Sequence, residues 1–173
     1  FYGCSNLVGS FTDAPNLTNV TSLERIFGDC SSFNQPIGDW DVSNVTTMYA
    51  TFAGASSFNQ PLNNWDTSSV TNMLGVFSRT TSFDQDISDW DISNVSDFQV
   101  FARFVTLSTT NYDAILIGWE ATLQAAFPNG SGYTPTISIS FGSSEYTGGG
   151  AAATARASLV SNFGWSIVDG GIA

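Results

Sequence analysis

Apolar positions in the first hundred residues return at a fixed step of 25. Trp40, Trp65 and Trp90 keep this step, as do Val20, Val45, Val70 and Val95, and Leu23, Met48, Met73 and Phe98. Phe27, Phe52 and Phe77 form another column. Phe33-Asn34-Gln35-Pro36 returns as Phe58-Asn59-Gln60-Pro61 and then as Phe83-Asp84-Gln85-Asp86. Within one unit Val45, Met48 and Phe52 are spaced i, i+3, i+7, which predicts one face of a helix, and Val70, Met73 and Phe77 repeat it. Ser43, Ser68 and Ser93, with Thr18 in the first unit, precede these runs and are expected to cap a first helical turn. The short apolar stretches 37–42, 62–67 and 87–92 predict brief strands. A unit this small cannot bury its apolar face alone, so units must stack, with neighbouring strands about 4.8 Å apart.

The repeat has visible ends. Phe1-Tyr2-Gly3-Cys4-Ser5 matches Phe27-Gly28-Asp29-Cys30-Ser31 with one extra residue between copies, so the chain starts inside a unit and further repeats are expected before it. After Phe98 the next column Phe would fall at Ala102, but Phe101 and Phe104 flank that position instead, a slip that marks the last unit. From about Thr106 the pattern becomes α-β-α-β. Tyr112, Ile115, Leu116, Trp119, Leu123 and Phe127 form one helical face, stopped by Pro128-Asn129-Gly130. Ile137, Ile139 and Phe141 alternate as a strand, residues 151–163 predict a second helix, and 165–169 a last strand. The expected organisation is a repeat region at 1–105, about four copies with its N-terminal part missing, and a capping segment at 106–173.

Composition narrows the function. Fifteen acidic residues against four Arg, with no Lys and no His, give a net charge of -11. Such a chain repels a phosphate backbone, so nucleic-acid binding is not expected. Without His, neither a Cys/His zinc site nor a Ser-His or Cys-His nucleophile pair can be assembled. No apolar run approaches about 18 residues, so direct membrane insertion is not expected either.

The run from Phe33 to Met48, Phe-Asn-Gln-Pro-Ile-Gly-Asp-Trp-Asp-Val-Ser-Asn-Val-Thr-Thr-Met, resembles the bacterial surface-protein repeat of the BspA type. That repeat is also seen in mycoplasma lipoproteins and is a distant relative of leucine-rich repeats. The resemblance covers about residues 1–105. With the periodicity, it leads to an expected α/β fold: a short leucine-rich-repeat-like solenoid of 25-residue strand-helix repeats, closed by a C-terminal α/β cap. It also implies contact with a host, the matrix or other cells as the usual role.

Four sets of residues carry candidate chemistry. Asp39, Asn64 and Asp89 form one row, and Asp41, Asp66 and Asp91 another; stacked carboxylates about 5 Å apart would repel by about 3 kcal/mol per pair at an effective dielectric of about 20. Splaying into water, or helping a nearby helix N-terminus, is the favoured relief, and calcium held by these six residues is the alternative. Asn34, Asn59 and Asp84, with Gln35, Gln60 and Gln85, are read as a polar ladder capping backbone groups at the turns, the alternative being an exposed glycan-binding stripe. Trp40, Trp65 and Trp90 are read as core rather than as a sugar-stacking row. Cys4 and Cys30 occupy equivalent positions in adjacent units and are read as two buried thiols, with a Cys4–Cys30 disulfide as the alternative.

No catalytic residue is expected, because acids that recur in every unit look structural or multivalent, whereas a catalytic pair is unique. The chain is therefore expected to be a non-catalytic adhesion or recognition module of a larger secreted or surface-anchored protein, extracellular or at the cell surface. Its expected partner is a host, matrix or cell-surface protein or glycan. The alternative is a structural spacer or subunit of an extracellular filament, with identical subunits as partners.

Overall fold

The computed structural model describes residues 1–8 and 13–173. Among the described residues no helix and no extended strand occurs before Thr109. The regular elements all follow: helix α1 (Thr109–Ala126), a 3-10 turn at Pro128–Gly130, β1 (Ser138–Ser140), β2 (Glu145–Tyr146), α2 (Ala151–Ser161), β3 (Ser166–Val168) and β4 (Gly171–Ile172). The strands make two small parallel pairs, β1 with β3 in the register Ile139 to Ile167, and β2 with β4 in the register Tyr146 to Ile172. The expected leucine-rich-repeat-like solenoid of strand-helix repeats is therefore overturned. The protein is a small mixed fold, in which the two helices and four short strands found among the described residues all lie between Thr109 and Ile172.

The physical reason lies in where the backbone hydrogen bonds go. The N–H groups of Met48, Ala50, Phe52 and Gly54 donate to the carbonyls of Asn72, Leu74, Val76 and Ser78, each 24 residues ahead. The alternate residues Thr51, Ala53 and Ala55 close turns onto Met48, Ala50 and Phe52. A helix needs every amide for its own carbonyl four residues back. Here half of them leave for the next unit, and Ala50 and Gly54 take left-handed backbone angles (φ 52° and 77°) that no α-helix tolerates. Val45, Met48 and Phe52 are all fully buried, so the apolar spacing located the core correctly while naming the wrong backbone. Ser43 and Ser68 cap no helix: the N–H and hydroxyl of each donate to Asp41 and Asp66 respectively, two residues back. The predicted strands at 37–42, 62–67 and 87–92 are turns closed by Trp40 N–H to Ile37, Trp65 N–H to Leu62 and Trp90 N–H to Ile87. The β-pairing among these inter-unit bonds is limited to isolated parallel bridges, running Ser22 to Thr47 to Asn72 to Asp97.

This turn-built region packs around two files of phenylalanine. Phe27, Phe52 and Phe77 stack with ring centres 5.7 and 5.5 Å apart, and Phe33, Phe58 and Phe83 with 5.7 and 6.3 Å. The files end at Phe101, which meets Phe77 edge-on at 90° rather than face to face. Beyond it the C-terminal segment takes the open positions. Ala102, standing where the next column Phe was expected, donates its N–H to Ser140 of β1. The face Tyr112, Ile115, Leu116, Trp119 and Leu123 of α1 is buried, and Ser108 caps that helix by accepting from Asn111 N–H. In α2, Ala155 and Leu159 point inward, with Phe163 just beyond its end. β2 and β4, two residues each, carry no period-2 signal and were not predicted.

Candidate functional site

Tryptophan and amide columns tie successive units together through side-chain hydrogen bonds. Trp40, Trp65 and Trp90 are all buried, and Trp65 and Trp90 stack 6.4 Å apart at 5°. Trp65 Nε1–H donates to Ile37 O and Trp90 Nε1–H to Leu62 O, each at 3.0 Å. Trp119 of α1 then donates to Ile87 O at 3.0 Å, filling the place a following unit's tryptophan would hold. The amide column runs in parallel. Asn34 Oδ1 accepts from Asn59 N–H and Gln60 Nε2, and Asn59 Oδ1 accepts from Asp84 N–H and Gln85 Nε2. Asp84 Oδ1 accepts from Ser108 N–H (2.8 Å), Ser108 Oγ and Asn111 Nδ2, which ties the column to the start of α1. Gln35 is half-buried beside the first rung.

The remaining candidate residues are dispersed. Asp39, Asn64 and Asp89 are exposed. Asp41, Asp66 and Asp91 each accept from the N–H of the serine two residues on, Ser43, Ser68 and Ser93. The hydroxyls of Ser43 and Ser68 hold the Asp41 and Asp66 carboxyls below their ordinary value of 3.8, with the serine amides adding to the effect. Each carboxylate is thus served by its own turn. Among the described residues no three His, Cys, Asp or Glu side chains converge as a cation site would need. Cys30 is buried and donates Sγ–H to Phe1 O at 2.9 Å, and burial pushes its thiol up. Cys4 is exposed, and both thiols are free, which corrects the expectation of two buried thiols and its disulfide alternative.

Sequence reasoning missed a groove built on the left-handed positions. Each unit has two of them, four residues apart: Arg25, Ala50, Gly75 and Val100 in one column, and Asp29, Gly54, Arg79 and Phe104 in the other. In the first column small Ala50 and Gly75 lie between Arg25 and Val100, and in the second Gly54 lies between Asp29 and Arg79. Small residues between large ones leave a shallow groove of about 200 Å³. At one end Arg25 Nη2 donates to Tyr49 Oη at 2.8 Å, with the guanidinium 5.0 Å from the Tyr49 ring centre and 5.8 Å from that of Tyr2. That hydrogen bond raises the Arg25 pKa further, so the cation is permanent. Across the groove Arg79 lies 3.9 Å from Asp29, both well exposed, which leaves most of its donors to solvent. Arg79 N–H donates to Arg103 O in the next unit, and the Arg103 guanidinium lies over Phe104 at 4.6 Å. A second depression, lined by Arg103 and residues of β1 and β3, meets the groove at Val100. The fourth arginine, Arg156, is held by Asp169 at 2.7 and 3.1 Å. Three of four cations thus share one face, a clustering that their uneven sequence spacing concealed.

Turn-built units stacked through amide and tryptophan columns define a repeat-containing protein. A family model described as "Mycoplasma protein of unknown function, DUF285" matches residues 1–114, and the chain belongs to that family. No curated protein and no solved structure matches the chain.

Proposed function

We propose that the chain is a non-catalytic recognition module of a larger secreted or surface-anchored protein, working outside the cell or on its surface. The observation that carries this reading is the Arg25–Tyr49–Arg79 groove, a cationic and aromatic depression on a chain of net charge -11. Its walls are set by backbone bonds between units rather than by a mobile loop, which lowers the ordering cost of binding. The BspA-type resemblance of Phe33 to Met48 supports the finer assignment to adhesion, with a host, matrix or cell-surface protein or glycan as the partner. A repeated face tethered on a larger protein also gains avidity from many weak contacts. An array of glycans and matrix proteins probed with the purified chain tests the reading. Saturable binding to at least one class supports it. Blank arrays, together with growth into filaments in sedimentation velocity, would replace it with the structural-subunit alternative.

A further inference from the structure

Resting on that reading, we propose that the groove bearing Arg25, Tyr49, Arg79 and Arg103 binds a carboxylate-bearing polysaccharide. Three features select this chemistry. Guanidinium groups are forks matched to carboxylates, and Arg79 is held only by a loose contact with Asp29, so its donors are available. The backbones of Arg25 and Arg79 are two units apart, but Arg25 reaches forward to Tyr49 and Arg79 reaches back to Asp29 in Arg25's own unit, so both guanidinium groups converge on one groove, with Arg103 in the unit beyond. Three cations on one face match a sparsely charged chain, with at most one carboxylate per sugar, better than a duplex nucleic acid with a charge every 1.7 Å or so. The rings of Tyr49 and Tyr2 flank Arg25 and offer an apolar surface with a polar tip, as the C–H face and hydroxyls of a sugar require.

A peptide partner fits less well. Strand addition needs free backbone donors, but the N–H groups of Ala50, Gly54, Gly75 and Arg79 along the groove all donate to the next unit. The acidic remainder of the chain is a weak opponent at physiological salt, since charges beyond about 8 Å are largely screened. The acids close enough to matter are Asp29 in the groove and Glu24 beside Arg25.

Titration of the intact chain with polygalacturonate, dextran and poly-glutamate tests the proposal. The expected result is saturable binding of polygalacturonate that weakens as salt rises, with dextran silent and poly-glutamate weaker. Arg25→Gln and Arg79→Gln should each lower the affinity by about tenfold, one charge-assisted contact apiece. Asp29→Asn should raise it severalfold, a gain that misfolding cannot produce. Absence of polygalacturonate binding, preference for poly-glutamate, or an Asp29→Asn variant no tighter than wild type would overturn the proposal. Array binding that survives the Arg25→Gln/Arg79→Gln pair would leave the recognition reading standing and remove only this site.

Discussion

Trp119 is the sharpest test of how the C-terminal segment engages the repeat region. Its ring is 1% exposed and packs against Phe98, Phe101 and Phe141 with centres 5.5 to 5.8 Å away. Its Nε1–H shares the Ile87 carbonyl with Trp90 N–H, so both lone pairs of that oxygen are used. Trp119→Phe keeps an aromatic ring and deletes one donor, leaving the carbonyl with one of its two partners. The expected cost is about 1–2 kcal/mol, near the low end of the penalty for an unmet buried group, plus a little lost area. Trp119→Ala also removes the ring from a packed interior and should cost about 3–5 kcal/mol. For a chain of this size each kcal/mol lowers the melting midpoint by about 2–4 °C, so the two variants should fall by about 2–8 °C and 6–20 °C. Thermal and urea unfolding followed by far-UV circular dichroism measure this, and hydrogen exchange localises it. The Trp90 amide, which shares the acceptor, should lose protection in both variants. Two variants that melt with the wild type, or an Ala variant no worse than Phe, would refute the idea that Trp119 completes the tryptophan file.

Other expectations follow from the same columns and turns. Asp84→Ala removes the acceptor of Ser108 N–H, Ser108 Oγ and Asn111 Nδ2 and should cost about 1.5–3 kcal/mol, whereas Asp84→Asn, the residue of the two earlier units, keeps an acceptor and should cost under about 1 kcal/mol in urea unfolding. Gly75→Ala places a side chain at φ 64° in ordinary contact with Val100 and Ser78 and should cost about 1 kcal/mol from backbone strain alone; Gly54→Ala drives a Cβ into the Asp29 carboxylate and should cost more, and equal losses would deny that collision. Asp41 and Asp66 have folded pKa values held below 3.8, so their contribution is present above that pH and is lost as pH falls through the depressed folded values. Ser43→Ala with Ser68→Ala should therefore flatten the melting-point curve between about pH 5 and pH 2, and an unchanged acid limb would sink the assignment.

The unit length, the columns of like residues and the apolar core were legible in the chain because repetition needs no geometry to be seen. Helix α1 was legible for a different reason: its apolar face, serine cap and Pro-Asn-Gly stop all agree, and its hydrogen bonds are local. The repeat units were misread because spacing alone cannot tell whether an amide bonds within its own turn or to a unit 24 residues away. Val45, Met48 and Phe52 reach the core by either backbone. That choice belongs to tertiary structure, as does the left-handed backbone at Arg25 and Arg79, which brings dispersed cations onto one face. It also decides the separation of Cys4 from Cys30 into exposed and buried environments, and the entry of Trp119 into a file begun by residues far behind it. The physical reason is the same in each case: sequence fixes which groups must be buried or satisfied, and only the folded chain selects the partner that does so.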